Sequence, residues 1–292
     1  MRNTREAAAR GTGLAATGAG GAVPYDEKTF FESFYRANVS GTPQDHMTIG
    51  AVSEPEARFH YNATENSIIR ALLSLSPPPP PGMLAAWNLL RRRRGARLLD
   101  VGSGTGHWID FMRQLFHVTE AVGVEITEQM CAFLREKYGP GGGVTVLQAD
   151  VAADGFGAEA VGGAVDYVTA VGVMFHVVDD ARWRRAVANL AAALRPGGLM
   201  IVGDDFGVET RDVQFHATDE FASWREFDAA KAAEGAARVN KRVRSLADWQ
   251  AAAGACGLQM VALVRTDRDP RITTPENDVL VLRRAAEGEG RP

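Results

Sequence analysis

Cysteine is scarce in this 292-residue chain: only Cys131 and Cys256 occur. Both stand among apolar residues in or at the end of a predicted helix, so they read as free thiols. Neither a disulfide framework nor a cysteine-rich metal site is expected. Six histidines are scattered without a His-x-x-x-His pair, which removes the usual signature of a structural metal. No stretch approaches 18 uninterrupted apolar residues, so no membrane-spanning helix is predicted. Charge of one sign is also lacking. A net charge of −4 offers no broad attraction to nucleic acid or to an anionic membrane, and the basic run Arg91–Arg94 reads as a solvated helix end. The first residues are Ala/Gly-rich with no strong apolar segment, so a secretory signal is not expected and the cytoplasm is the default compartment.

What is present is the composition of a globular protein with a core, 46% hydrophobic and 23% charged. No internal repeat is visible. Residues 1–24 are expected to be a disordered tail, because Gly and Ala bury too little surface to offset ordering. Residues 25–94 form an N-terminal helical region, with helices near Asp26–Ala37 and Glu56–Leu75. The first of these is crowded with Phe30, Phe31, Phe34 and Tyr35. A stiff proline connector, Ser76–Gly82, and a short helix, Met83–Arg92, follow.

From residue 95 to 285 strand and helix alternate. Strands are predicted at Arg97–Val101, Ala121–Glu125, Val144–Gln148, Val165–Val171 and Leu199–Gly203. Helices fall at His107–Phe116, Glu128–Tyr138 and Ala181–Leu194, each with apolar residues at helical spacing. An insertion, residues 204–244, contains a predicted helix over Asp219–Arg238. Ser245–Ala255 reads as a helix opened by a capping box of Ser245 and Asp248. The last strands, Leu258–Val264 and Asp278–Leu282, are joined without a helix and should pair antiparallel. The alternation implies an α/β, Rossmann-like doubly wound sheet covered on both faces.

The sharpest motif is LLDVGSGTGHW, Leu98–Trp108. A buried strand runs into a glycine turn that opens a helix. Gly102, Gly104 and Gly106 let the backbone bend tightly and let a ligand come close. The loop falls at the carboxyl end of the first strand, where open parallel sheets bind ligands. Its G-x-G-x-G spacing departs from the G-x-G-x-x-G of dinucleotide folds, with His107 at the third glycine's place. Asp100 would repel a pyrophosphate but suits an ammonium. S-Adenosylmethionine offers an α-amino group and a sulfonium and no phosphate. Glu125, closing strand two, is placed to accept bonds from ribose hydroxyls. Asp150, closing strand three, either takes an adenine amino group, with Val151 packed on the ring, or caps a helix.

LLDVGSGTG, VGVEIT, LQADV, VDYVTAVGVMFHVVDD and LRPGGLMIV, in that order, resemble the motif series of class I S-adenosylmethionine-dependent methyltransferases. The resemblance covers about Arg97 to Arg284. It implies a seven-stranded sheet whose last strand is inserted antiparallel. It also implies that Asp100, Gly102, Gly104 and Gly106, with Ser103 and Thr105 between them, hold the methionine part of S-adenosylmethionine. Glu125 would then bind the ribose, Ile126 would flank the adenine, Asp150 and Val151 would frame it, and Val171 would lie beneath the cofactor near the sulfur.

The acceptor is less legible. The segment ARFHYNATENSII, Ala57–Ile69, is polar on more than one face, and two asparagines inside a helix suggest buried partners. It is expected to act as a lid, with Tyr61, Asn62 and Glu65 toward the substrate. His176, after strand four, is the candidate catalytic residue. It would remove a proton, orient a carboxylate, or simply pack. Asp204, Asp205 and Phe206 end strand five, and Asp204 is expected to bind an ammonium. Phe221 and Trp224 follow. A small-molecule acceptor is favoured over a macromolecule by the acidic balance. A weaker resemblance of YNATENSII to bacterial methionine S-methyltransferases makes a thioether the leading acceptor, with an oxygen or nitrogen of a secondary metabolite as the alternative. A nicotinamide oxidoreductase is disfavoured by the loop spacing, and a non-catalytic cofactor-binding subunit is the alternative of another class.

Overall fold

A computed structural model describes residues 25–38, 54–75, 95–204, 206, 211–213, 241–265 and 278–286. The expectations for residues 1–24, the proline connector, the helix at 83–92, Asp205 and the insertion helix with Phe221 and Trp224 lie outside the described residues. So do the side chains of Phe59 and His60.

The elements run α1 (Glu27–Asn38), α2 (Glu54–Ser74), β1 (Ala96–Val101), α3 (His107–Phe116), β2 (Val118–Glu125), α4 (Glu128–Tyr138), β3 (Val144–Gln148), β4 (Val165–Val171), a 3₁₀ turn (Met174–His176), α5 (Asp180–Ala193), β5 (Leu194–Asp204), β6 (Arg211–Val213), β7 (Lys241–Val243), α6 (Leu246–Ala255), β8 (Leu258–Val264) and β9 (Asp278–Arg284). Seven strands form one sheet in the order β3-β2-β1-β4-β5-β9-β8. β9 is antiparallel to both its neighbours, β5 and β8, while β1 to β5 pair parallel. This is the Rossmann-like sheet with an inserted antiparallel last strand that the motif series implies. β6 and β7 make a separate two-stranded ribbon.

The strands are apolar on both faces because helices cover both. Side chains alternate with period two. Leu99, Met200, Val202, Leu280 and Leu282 meet Trp183, Val187 and Leu190 of α5 and Trp249 of α6. Leu98, Ile201, Val279 and Val281 meet Ile109 and Met112 of α3 on the other face. That second face also takes Ile68, Ala71 and Leu72 of α2, all buried. Half of α2 is therefore a packing helix of the sheet, which corrects the expectation that the whole segment is a lid. Asn62 and Asn66 have no buried partners to satisfy. They share the exposed face of α2, because their i, i+4 spacing turns both away from the face that carries Ile68 and Leu72.

Caps set the helix starts near the cleft. Asp179 accepts a hydrogen bond from the Arg182 amide at 2.8 Å, and Ser245 with Asp248 makes the expected capping box. Strand five starts five residues earlier than its apolar run suggests, because Leu194 already pairs with Val165. Cys131 is buried and Cys256 half-buried, both free. Among the described residues no helix is long and apolar enough to cross a membrane.

Leu190 is wholly buried between α5 and the sheet. Leu190→Ala is expected to lower stability by about 2–5 kcal/mol through lost burial and a residual cavity, as read by chemical denaturation.

Candidate active site

The glycine loop hangs from the end of β2. The amides of Gly102 and Ser103 donate to the Val124 carbonyl at 2.8 and 3.2 Å, and the Gly106 amide donates to Ser103 O at 2.7 Å. Gly102, Gly104 and Gly106 have φ of +61°, +51° and +81°, which a side chain would strain. A methyl group at Gly102 would run into Val173, and one at Gly106 into the Tyr138 hydroxyl. Tyr138 in turn donates to Gly106 O at 2.9 Å, and Lys137 donates to Thr105 O at 2.7 Å, so α4 braces the loop from behind.

Beneath and beside this loop lie two buried carboxylates. Asp100 Oδ1 accepts from the Thr169 hydroxyl at 2.5 Å, while its Oδ2 is buried with no hydrogen-bond partner. Burial pushes Asp100 up to about 7 against the pull of Thr169 and Ser103. Glu125 accepts from the Gly104 amide at 2.6 Å and from the Ile126 amide at 3.1 Å. Burial raises it too to about 7, opposed by those amides. Asp150 accepts from the Ala152 amide at 2.7 Å through one oxygen, as a cap would, and from Arg182 at 2.8 Å through the other. The same guanidinium reaches Glu27 of α1 at 2.7 Å. Glu27 is 5% exposed, and its second oxygen is buried without a partner. A single arginine thus bridges the strand-three carboxylate and the N-terminal helix.

Glu125, Asp150, Arg182 and Glu27 line a cavity of about 220 Å³ at the carboxyl ends of β1, β2 and β4. Of the residues singled out from sequence, Gly102, Ser103, Gly104, Thr105, Glu125, Ile126, Asp150, Val151, Val171, Tyr61 and His176 line it. Five do not. Asp100 lies under the loop. Gly106 serves the turn against Tyr138 instead of facing the cavity. Asn62 is exposed on α2. Glu65 reaches His107 instead, with Nε2 and Oε1 2.8 Å apart. Burial pulls His107 down to about 4 and raises Glu65. Asp204 is buried opposite Asp278 in the β5–β9 register, because β9 pairs with β5 to its last residue and covers that end.

The far wall is aromatic. Phe31, Phe34 and Tyr35 of α1 line the cavity together with Tyr61, Trp108 and Phe175. His176 is 7% exposed, held edge to face against Phe31 at 4.8 Å and beside Phe175 at 4.5 Å. Tyr61 stacks on His107 at 3.9 Å. Glu27, Arg182 and Lys241 also line the cavity and were not singled out from sequence. Glu27 and Arg182 are 155 residues apart, and nothing local marks either as more than an exposed first-turn charge.

The residues fit S-adenosylmethionine on the structure's own terms. A buried, partnerless carboxylate oxygen lies under a loop with no room for a side chain at Gly102 or Gly106, and two further carboxylates stand at or next to the ends of successive strands. A ligand with an ammonium, a diol and an amino-purine supplies donors for all three. Among the described residues no group of three or more His, Cys, Asp or Glu could hold a metal ion.

The fold is that of a Rossmann-like methyltransferase. It is similar to the Burkholderia thailandensis 1,6-didemethyltoxoflavin-N1-methyltransferase, solved with 1,6-didemethyltoxoflavin and S-adenosylhomocysteine, at a TM-score of 0.53 and 15% identity over 92% of this chain and 93% of that one. Residues 98–198 match the family described as a methyltransferase domain. The O-methyltransferase cnsE of Penicillium expansum is 31% identical over 114 residues, 38% of this chain and 38% of that protein, so the chain matches well under half the length of its curated relative. That family match covers about a third of the chain, the stretch from β1 into β5.

Asp100 and Glu125 both titrate in the ligand-free fold well above the free-carboxyl values of 3.8 and 4.5. The folded state therefore holds protons that the unfolded chain has lost. The stabilising contribution of these two groups is full below about 4 and is lost as pH rises through about 7. A cationic ligand reverses the preference by favouring the ionised forms. S-Adenosylmethionine binding is expected to release protons near pH 6–7 and to tighten as pH rises through that range. Calorimetry in buffers of different ionisation heat measures both; proton uptake would contradict the assignment.

Proposed function

We propose that this chain transfers the methyl group of S-adenosylmethionine to an oxygen or nitrogen atom of a small molecule. The observation that carries this reading is one cavity that combines the glycine loop, Glu125 and Asp150 with an aromatic wall holding His176. When bound, S-adenosylmethionine supplies an electrophilic methyl group on a cationic sulfonium.

The chain's own residues account for the rest. The backbone of 102–105 binds the amino-acid end, with the Asp100 carboxyl beneath the loop favouring a cationic group above it. Glu125 accepts from the ribose hydroxyls with lone pairs not taken by Gly104 and Ile126. Asp150 faces the adenine amino group, with Ile126 and Val151 against the ring. Phe31, Phe34 and Tyr35 of α1 close the cavity over these groups and exclude water, and Val171 lies under the reacting centre. Holding the nucleophile in line with the methyl group can supply ~7–11 kcal/mol of the barrier. His176, at the rim after β4, accepts the acceptor's proton.

S-Methylation of methionine is the less supported reading. It draws on Tyr61, Asn62, His176 and Asp204 as handles for an amino acid, and Asn62 and Asp204 are off the cavity. Tyr61, His176 and the aromatic wall remain, and they suit an oxygen or nitrogen acceptor at least as well. The curated relative's name, an O-methyltransferase, accords with that preference.

The test is a screen of small nucleophiles, methionine included, with the purified chain alone and labelled cofactor, read by mass spectrometry. Transfer to an oxygen or nitrogen acceptor is the expected result. S-Methylmethionine as the sole product would favour the thioether, and no transfer by a chain that binds the cofactor would favour a non-catalytic subunit. Glu125→Ala is expected to weaken cofactor binding by ~1.5–3 kcal/mol, measured by calorimetry. His176→Ala is expected to cost ~10²–10⁴-fold in kcat with an acceptor that must lose a proton, and far less with a thioether, which has none to lose.

A further inference from the structure

The N-terminal helix brings a third carboxylate to the cavity, beside Glu125 and Asp150. Glu27 opens α1 and lines the cavity with Asp150, Val151 and Arg182. Arg182 joins the two acids on one guanidinium, at 2.7 Å to Glu27 Oε2 and 2.8 Å to Asp150 Oδ2. Two carboxylates thus share one cation, and the trio has one negative charge left over. Asp150 already holds a donor on each oxygen, Arg182 on one and the Ala152 amide on the other. Glu27 holds a donor on Oε2 alone. Its Oε1 is buried and accepts nothing among the described residues. A buried acceptor without a donor is costly, so a ligand that supplies an N–H there gains more than it would from an exposed group. The Tyr25 hydroxyl is another buried, unmet polar atom at this end of α1, but Tyr25 does not line the cavity.

Resting on the assignment of S-adenosylmethionine to this cavity, we infer that Glu27 is a cofactor-binding residue that reads the 6-amino group of the purine together with Asp150. That group carries two N–H donors. The two point apart, so two separate acceptors serve them. Asp150 takes one and Glu27 Oε1 the other, while the planar fork of Arg182 holds both acids at a set spacing. A 6-oxo purine presents a carbonyl oxygen in the same place, which two carboxylates repel. Glu27 also belongs to the helix whose Phe31, Phe34 and Tyr35 line the cavity. A cofactor held by Glu27 therefore holds the aromatic wall in place as well.

Binding without turnover tests the inference. Calorimetry compares S-adenosylhomocysteine with S-inosylhomocysteine, which carries a 6-oxo group instead of the 6-amino group. The wild type is expected to prefer the adenosyl compound about a hundredfold or more. Glu27→Gln keeps the size of the side chain, but Arg182 claims the amide oxygen and turns the amide NH₂ toward the purine. There it opposes an amino group and donates to an oxo group. The variant should narrow the preference about tenfold or more and bind S-inosylhomocysteine at least as tightly as the wild type does. Glu27→Ala, which removes the acceptor outright, should lose affinity for the adenosyl compound alone. An unchanged preference in both variants, an equal loss of both ligands, or a wild type that binds the two compounds equally would overturn the inference and leave the methyltransferase reading standing. Failure of the wild type to bind either compound would overturn both.

Discussion

Burying two carboxylates at the carboxyl edge of a parallel sheet is the constraint on which the site depends. Asp100 and Glu125 are each at most 4% exposed, on adjacent strands. Charged groups are not left in such places without partners. Glu125 meets part of its need with the Gly104 and Ile126 amides, and in doing so pins the glycine loop at the height where a ligand meets it. Asp100 keeps one oxygen unmet. The loop's shape and its demand for a cationic, hydroxyl-bearing ligand thus have one origin.

The second organising contact is the Glu27–Arg182–Asp150 bridge. α1 packs on α4 through Phe34, Tyr35 and Met130, a small cluster apart from the two large cores of the sheet. Such a cluster leaves some freedom in where the helix lies. Arg182 removes it by holding Glu27 and Asp150 on one guanidinium, and planar forked donors suit two carboxylates well. A helix about 120 residues from the strand-three carboxylate is in this way tied to it, and the aromatic wall of the cavity comes with it. α2 contributes differently. Its second half belongs to the core, and Tyr61 reaches the cavity by stacking on His107.

Much of this is legible in the amino-acid sequence. The apolar runs at Leu98–Val101, Val165–Val171 and Leu258–Val264 mark strands because both faces of the sheet are covered. The glycine spacing with Glu125 and Asp150 marks one end of the cavity because those residues sit in or next to strand ends, where local sequence and local geometry coincide. Asn62 and Asp204 mislead for a common reason. A polar residue in a helix or at a strand end looks functional until its neighbours are known. Asn62 faces solvent because Ile68 and Leu72 claim the opposite side of α2. Asp204 is covered because β9 pairs with β5 as far as that residue.

The sequence by itself determined the alternation of strands and helices, the inserted antiparallel hairpin and the glycine loop with its flanking carboxylates. Each follows from periodicity and backbone conformation within a few residues. Only the tertiary structure decided what lines the far side of the cavity. Glu27, Arg182 and Lys241 come from three distant segments, and their roles depend on ion pairs and ring contacts that span the fold. Side-chain pairing at such separations leaves no periodic trace in the chain, whereas strand burial and glycine turns do.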